Sequence, residues 1–180
     1  MIKVVVASAA IQLTYGLRDY TFPMYESFHI YPNTFKLFSS KHKYRGATAK
    51  SDRMYLSWAH IVEGHQIEDD NLNLGLHEWS HALMLKFSQY NMFGGEVASW
   101  YEHWEKIAAV ESKWIRDGGK SVLRKYAVAT EHEFFPACVE HFFESPEELK
   151  RELPVVFNAL SHLINQDPLN PANDYKLTAV

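Results

Sequence analysis

The sequence has little of several features, and each shortage argues against a class of protein. It holds one cysteine, Cys138, among 180 residues, so no internal disulfide framework can form. It has no run of 18 apolar residues, so we expect no transmembrane helix. The formal net charge is -4 and the isoelectric point is near 6.2. This charge balance gives no reason to expect a nucleic acid or an anionic membrane as a partner.

What the sequence does contain is typical of a packed globular protein. Hydrophobic residues make up 47% of the chain and aromatic residues 14%, and this length can bury a core of useful size. We therefore expect a single domain over residues 1–180 with a loose tail from about residue 169. We expect a cytoplasmic location; the alternative is a soluble domain whose N-terminal anchor is missing. Met1–Leu13 is apolar without a clear cleavage site, which favours a buried first helix over a signal peptide.

Residues 72–83, which read LNLGLHEWSHAL, contain the pattern H-E-x-x-H. On a helix, His77 and His81 lie at positions i and i+4 of one face, so both imidazoles can bind one ion. Glu78 can then take a proton from a water on that ion, which is the arrangement of zinc hydrolases. The alternative is an accidental match, with two core histidines and a surface glutamate.

A catalytic zinc ion needs a third protein ligand and an open position. Residues 131–144 (EHEFFPACVEHFFE), which we predict to be a helix, offer six candidates: Glu131, His132, Glu133, Glu140, His141 and Glu144. Glu133 and Glu140 share one face but lie about 10 Å apart along the helix axis, so only one of them can bind the same ion. The other can order the site or pair with a basic group. We expect structural roles for four further residues: His60, His65, His103 and Cys138.

The remaining segments predict an α+β fold. Short patterns predict strands at Ser27–Tyr31 and Met54–Trp58. Residues 41–53 are polar and basic, and their middle, Tyr44–Ala49, can form an exposed strand; we expect the basic residues there to belong to a solvated hairpin. Helical patterns predict helices at Val4–Leu17, Ala59–Gln66, Glu96–Trp114 and, interrupted at Pro154, Glu147–Asn165. Residues 68–71 (EDDN) are expected to cap the central helix. We expect a small, mostly antiparallel sheet packed on the H-E-x-x-H helix, with a helical C-terminal half that closes the cleft.

Five motifs occur along the chain: HEWSHAL at 77–83, MFGG at 92–95, YA at 126–127, EFFPACVEHFFESPEEL at 133–149 and NQDP at 165–168. Together they resemble the Mlc titration factor A family of zinc-dependent peptidases, over roughly Val4 to Pro168. That family is a gluzincin group, and its catalytic core is similar to that of anthrax lethal factor. The resemblance therefore implies a zincin-like metallopeptidase fold with Zn²⁺ as the cofactor.

The resemblance also implies roles for individual residues. The glutamate that opens the family's E-F-F segment is its third zinc ligand and corresponds to Glu133. The tyrosine seven residues earlier, which assists catalysis, corresponds to Tyr126. The glutamate of the family's S-E-x-F-F segment corresponds to Glu140, which we expect to be structural or to support a ligand. Pro136 and Val139 depart from the family pattern, and neither is a proposed ligand.

The residues themselves also favour Glu133. It precedes Phe134 and Phe135 and so begins a buried face, where a carboxylate is costly unless an ion compensates it. The alternative is a glutamate at a helix start that interacts with the helix dipole. For Tyr126, the functional interpretation is a phenol that donates to the developing oxyanion, and the alternative is a half-buried packing tyrosine.

The expected function is hydrolysis of a peptide or protein substrate by a metal-activated water, with Glu78 as the general base. The substrate would lie along a strand edge supplied by Tyr44–Ala49 or Met54–Trp58. The family resemblance raises a second hypothesis, a protein that sequesters a transcriptional regulator and in which the zinc site is secondary. A weaker third hypothesis is a zinc amidase that acts on a non-peptide bond.

Overall fold

The computed structural model describes residues 1–37, 40–48, 52–67, 69–89, 94–170 and 172. These residues form an α+β fold of seven α-helices and three strands, which confirms the predicted class. The elements in chain order are α1 (Ile2–Thr14), β1 (Ser27–Tyr31), β2 (Gly46–Thr48), β3 (Arg53–Ser57), α2 (Trp58–Gln66), α3 (Leu74–Gln89), α4 (Gly94–Arg116), a 3₁₀ helix (Lys125–Val128), α5 (Phe134–Glu144), α6 (Pro146–Glu152) and α7 (Pro154–Ile164).

The sheet is mixed, with the strand order β1-β3-β2. Strand β1 pairs with β3 in parallel over five residues, and β2 pairs with β3 antiparallel over three. The prediction of a mostly antiparallel sheet is therefore wrong, because the longer of the two pairings, between β1 and β3, is parallel. The chain passes through β2 between β1 and β3, and such a crossover lets two neighbouring strands run in the same direction. Since β3 is the central strand, the prediction that Met54–Trp58 supplies a free edge is also wrong.

Helix α3 carries the H-E-x-x-H pattern and contacts α1, β2 and α5. It begins at Leu74, two residues later than the predicted stretch, because the side chain of Asn73 caps it. The Oδ1 atom of Asn73 accepts a hydrogen bond from the backbone N–H of Leu76 at 3.1 Å, which satisfies a donor that a helix start leaves free. The cap therefore comes from Asn73 and not from residues 68–71, of which Glu68 lies outside the described residues.

Helix α1 is buried on one face only, although we predicted a buried first helix. Val6 and Leu13 pack into the core, and the indole N–H of Trp79 in α3 donates to the backbone carbonyl of Val6 at 2.9 Å. On the opposite face, Val4 and Ile11 are 71% and 62% exposed. The first helix thus packs against α3 on one face, and its opposite, apolar face is in contact with solvent.

The residues that follow α7 bond to the C-terminal end of α1. The side-chain amide of Asn165 donates to the carbonyl of Gly16 at 2.9 Å. The amide of Gln166 donates to the carbonyls of Gln12 and Leu13, each at 3.1 Å. Carbonyls in the last turn of a helix have no partner within that helix, so Gln166 supplies donors that α1 lacks. Asn165 bonds to Gly16, just after the helix.

Further predictions for the C-terminal half have mixed outcomes. The interruption at Pro154 is confirmed, since α6 ends at Glu152 and α7 begins at Pro154. Leu169 packs against the core, whereas most of the tail that we predicted to be loose lies outside the described residues. The same holds for Ala49, predicted to end a strand, and for the first two residues of the MFGG motif. Within the described residues, no helix combines the length and apolar character needed to cross a membrane.

Candidate metal centre

Three side chains converge where α3 meets the turn before α5. The Nε2 atom of His77 lies 3.0 Å from the Oε2 atom of Glu133, and the Nε2 atom of His81 lies 3.7 Å from the same oxygen. One donor atom from each residue lies within 4.8 Å of the other two. The structure thus brings together the three residues that we predicted as metal ligands.

The donor set fits a divalent cation. Zinc binds imidazole nitrogen and carboxylate oxygen at about 2.0–2.1 Å, so two ligands of a tetrahedral site lie roughly 3.3 Å apart. The two distances from Glu133 to the histidines bracket this value. Two imidazoles and one carboxylate are a ligand set of catalytic zinc sites, in which a fourth position stays open. Glu133 immediately precedes α5 and makes no side-chain capping bond there, so its carboxylate is available to the histidines.

The electrostatics of these groups favour a positive charge between them. Burial opposes a charged imidazole, but hydrogen bonds with Glu133 and Glu140 raise the pKa of His77 to about 10. Burial would raise the pKa of Glu133, yet hydrogen bonds with His77 and His81 hold it well below its usual range. A proton on His77 or a divalent cation between the three side chains can supply the charge.

Glu140 supports His77 from the side opposite Glu133. Its Oε2 atom lies 3.2 Å from Nδ1 of His77, and its Oε1 atom accepts a hydrogen bond from the backbone N–H of Asn73 at 2.9 Å. A carboxylate on Nδ1 sets the tautomer that leaves Nε2 available as a ligand. The two glutamates therefore contact opposite nitrogens of one ring. The ligand role of Glu133 and the ordering role of Glu140 remain predictions.

Glu78 is buried beside the converging ligands and is held by strand β2. The hydroxyl of Thr48 donates to Oε2 of Glu78 at 2.7 Å and also lies 3.1 Å from its backbone carbonyl. A Cβ atom at Gly46 would lie 2.5 Å from Cδ of Glu78, so a side chain at this position would fit only if the carboxylate moved. Burial raises the pKa of Glu78, and the nearby His77 and His81 act against that rise. A raised pKa makes a carboxylate a stronger base.

Gly46 and Thr48 are site residues that the sequence analysis did not single out. Both lie in the predicted strand Tyr44–Ala49. A glycine inside a strand often marks a close approach of another group to the backbone. Gly46 was the one local feature of the sequence that could have indicated this contact. Nothing local indicates that the approaching group is Glu78, which follows 30 residues after Thr48.

Tyr126 lies in the 3₁₀ helix at the mouth of the cleft. Its exposed fraction is 58%. Its ring centroid is 6.2 Å from that of His77. Partial burial of the phenol and the adjacent Glu133 carboxylate raise the pKa of Tyr126 to about 12. The phenol therefore keeps its proton at neutral pH and can donate a hydrogen bond.

The other candidate ligands stay apart from this group. Glu131 and His132 are exposed in the turn before α5. His141 is buried, with Nδ1 3.3 Å from the carbonyl of Ala137. Four others also lie elsewhere among the described residues: Glu144, His60, His65 and His103. Cys138 is buried in the core, as expected for a packing residue.

Two cavities meet at the candidate centre, with volumes of about 410 Å³ and 950 Å³. Five residues line both of them: Tyr44, Gly46, His77, Glu78 and Tyr126. All three candidate ligands line the larger cavity, and His77 also lines the smaller one. Strand β2, the edge strand next to Glu78, runs along the cleft from one cavity to the other.

Comparison with known proteins agrees with this geometry. The model of the glucose-regulated metallopeptidase M90 family matches residues 1–164, which include every candidate site residue named above. No curated protein gives a significant match. The resemblance to the Mlc titration factor A family is confirmed by the family match. Because that match covers most of the chain, the protein belongs to the glucose-regulated metallopeptidase M90 family.

Proposed function

We propose that this protein is a zinc-dependent peptidase with a zincin-like catalytic domain. In this proposal His77, His81 and Glu133 hold Zn²⁺. Glu78 is the general base. The observation that carries the proposal is the convergence of the three donor atoms within 4.8 Å, next to a buried glutamate of the same helix. Membership of a metallopeptidase family supports the reaction class.

Zn²⁺ bound at this place would lower the pKa of a coordinated water towards about 7 and polarise the carbonyl of the substrate. The chain's own residues move the proton. Glu78 accepts it from the attacking water and later gives it to the leaving amine. The hydrogen bond from Thr48 keeps one carboxylate oxygen of Glu78 in a fixed place, which leaves the other oxygen, Oε1, for this task.

Tyr126 stabilises the oxyanion that develops on the substrate. Its phenol keeps its proton because its pKa is raised to about 12. A neutral donor held near a developing negative charge lowers the barrier more than it lowers the energy of the bound substrate. Since Tyr126 is largely exposed, it can reach a substrate that lies in the cleft.

The peptide substrate binds in an extended conformation along the outer edge of β2. Among the described residues, β2 pairs only with β3, on its other side. A sheet edge of this kind can accept one more strand through main-chain hydrogen bonds. The two cavities that meet at His77, Glu78 and Tyr126 give room for side chains on both sides of the cleaved bond.

Peptide hydrolysis with and without a chelator tests the proposal. We expect the chelator to abolish activity and added Zn²⁺ to restore it. We expect Glu78→Gln to lower kcat by about 10³-fold, within the range for loss of a general base, with the metal content unchanged. Peptidase activity that survives both treatments would rule the mechanism out. Cleavage confined to non-peptide amides would instead identify a zinc amidase.

A second candidate function is the binding of a transcriptional regulator, with the zinc site secondary. The observation that favours it is the apolar outer face of α1, where Val4 and Ile11 are 71% and 62% exposed, together with Tyr15 just after the helix, which is 54% exposed. Exposed apolar patches often mark interaction sites. Binding of a regulator that survives Glu78→Gln but is lost in the double variant Val4→Ser, Ile11→Ser would support this function.

Two broader properties are part of the proposal. We infer one domain over residues 1–180, and a single cooperative unfolding transition, the same by two spectroscopic probes, would support it. We also propose a cytoplasmic location, which cell fractionation can test. Recovery of the natural protein in the membrane fraction would instead support the alternative of an N-terminal anchor.

A further inference from the structure

We propose that the smaller cavity binds a carboxylate of the substrate, on the side of the residues that follow the cleaved bond. We call it the basic cavity because Lys43, Arg45 and Arg124 line it. The carboxylate can belong to an acidic side chain or to the C-terminus of a short peptide. The inference rests on the proposed peptidase function and adds a substrate class to it.

The position of the basic cavity along β2 decides which part of the substrate it receives. Lys43 and Arg45, which precede the strand, line the basic cavity, whereas Ala47 and Thr48 line only the larger one. The basic cavity therefore lies towards the N-terminal end of β2, and the larger cavity lies towards its C-terminal end. His77, Glu78 and Tyr126 stand between them.

The direction of the substrate follows from strand pairing. Antiparallel pairing is somewhat more stable per residue than parallel pairing. A substrate strand added antiparallel to β2 runs from the larger cavity to the basic one. The residues before the cleaved bond then occupy the larger cavity, and those after it occupy the basic cavity.

The charges in the basic cavity favour an anion. Three cations line it, and none of them has a carboxylate oxygen within 4.0 Å among the described residues. The guanidinium of Arg124 donates to the backbone carbonyl of Asp70, which orients it and does not neutralise it.

Three carboxylates also line the basic cavity: Glu63, Glu78 and Glu140. Thr48 holds Glu78, while the backbone of Asn73 and the ring of His77 hold Glu140. By formal charge the lining is balanced, with three cations and three carboxylates. Glu78 and Glu140 are already engaged by residues of the candidate centre. The three cations have no carboxylate partner among the described residues, so they remain available to an anion that enters the cavity.

The field of Arg45 acts inside the basic cavity. Burial and then the Arg45 guanidinium lower the pKa of His60, which also lines the cavity, while Glu63 acts against them to a smaller extent. Burial also lowers the pKa of His141 at the cavity wall, where the opposing effects of Glu148 and Glu140 are each larger than the lowering by Arg124. A bound carboxylate would experience the field of Arg45 as an attraction. The volume of about 410 Å³ falls within the range of pockets that hold small ligands.

The larger cavity provides a contrast within the same cleft. Its cations are Lys113 and Arg116, and Lys113 forms an ion pair with Asp117. Glu105 and Glu131 line the same cavity, so their charges offset those of the cations. A preference for acidic residues is therefore expected on one side of the cleaved bond only.

Binding of peptides to the zinc-loaded Glu78→Gln protein tests the inference without requiring cleavage. The probes are hexapeptides in which one Glu is moved from the first to the last position. Each has a Gln counterpart, and each is made with a free and with an amidated C-terminus. We expect about 10-fold tighter binding when Glu lies in the C-terminal half, or when the C-terminus is free. The preference should shrink as ionic strength rises, because the three cations are exposed.

The double variant Lys43→Gln, Arg45→Gln, made in the Glu78→Gln protein, should reduce the preference to less than 2-fold. Lys41→Gln is the matched control, since Lys41 is an exposed lysine of the same segment that does not line the basic cavity. Arg124→Gln is an independent second variant that should weaken the preference in part. Circular dichroism of each variant checks that the fold is kept.

Several outcomes would overturn the inference. These are equal binding of Glu and Gln peptides, a preference confined to N-terminal positions, or a preference that survives the double variant. The inference and the peptidase proposal can fail separately. If wild-type protein cleaves peptides without this preference, the inference alone is wrong. If the preference is present but no peptide is cleaved, the inference stands and the proposed reaction is wrong.

Discussion

His77 and Glu78 are neighbours in the sequence, yet two distant parts of the chain hold them. The imidazole of His77 lies between two carboxylates from the C-terminal half, Glu133 and Glu140. The carboxylate of Glu78 lies against strand β2 and accepts a hydrogen bond from Thr48. One helix therefore presents a cation-binding group to the helical half and a base to the sheet.

The difference shows how metal binding at His77 and proton transfer at Glu78 can be controlled by different neighbours within one turn of a helix. Carboxylates around His77 favour a positive charge at its ring. A hydroxyl beside Glu78 fixes the carboxylate, and its hydrogen bond lowers the pKa of Glu78 less than His77 or His81 does. Changes on the helical side should therefore act on metal binding, and changes on β2 should act on the rate with the metal in place. Four variants separate the effects on metal binding from those on the rate, and they follow in order from the largest expected effect to the smallest.

Glu133→Ala removes a proposed ligand and should give the largest effect. We expect metal content close to zero after dialysis and a loss of peptidase activity of about 10³-fold or more, because the activated water depends on the ion. Elemental analysis and hydrolysis rates measure the two quantities. Glu131→Gln, which changes an exposed glutamate two residues earlier, should leave the metal content unchanged. Full metal occupancy in Glu133→Ala would exclude Glu133 as a ligand.

Gly46→Ala should lower kcat by about 10²-fold while the metal stays bound. The added Cβ would overlap the carboxylate of Glu78, and a displacement of about 1 Å at a catalytic group can cost that much. Metal content and kcat, measured on the same sample, give the result. Loss of the metal in this variant would show that β2 and the helical side do not act separately.

Glu140→Gln should weaken metal binding by about 10- to 100-fold, the usual effect of changing a carboxylate that supports a ligand histidine. At saturating Zn²⁺ we expect kcat to fall much less than in Gly46→Ala, because Glu78 is untouched. A competition titration with a chelating dye gives the affinity. An unchanged affinity would mean that the contact between Glu140 and His77 only stabilises the fold.

Thr48→Val should give the smallest effect, a fall in kcat of about 10-fold with little change in KM. That is the size expected when one hydrogen bond to a charged group, worth about 1.5 kcal/mol, is lost. Thr48→Ser keeps the hydroxyl and should keep most of the rate. If the serine and valine variants lose activity equally, the methyl group of Thr48 and not its hydroxyl positions Glu78.

The sequence identified the parts of the site that depend on local periodicity. The spacing of His77 and His81 places both on one helical face, and the family motif together with the apolar residues after Glu133 pointed to a third ligand. The bounds of β1 were also predicted, since Pro32 follows its last residue. These features depend on residues within a few positions of one another.

The parts that were missed depend on long-range pairing. The order β1-β3-β2 places Arg53–Ser57 in the centre of the sheet, and no local pattern distinguishes a central strand from an edge strand of this length. For the same reason the contact of Gly46 and Thr48 with Glu78 could not be predicted, because it joins segments about 30 residues apart. The start of α3 was placed too early, because the side chain that caps it is Asn73.

The bonds from Asn165 and Gln166 to the end of α1 bear on how the protein is trimmed for study. The family match stops at residue 164, so a recombinant fragment cut there would contain the whole catalytic apparatus proposed above. It would nevertheless lack the two amides that bond to Gln12, Leu13 and Gly16. A fragment boundary chosen from sequence similarity would thus remove the hydrogen bonds to the end of the first helix. A fragment intended to be stable should extend past Gln166.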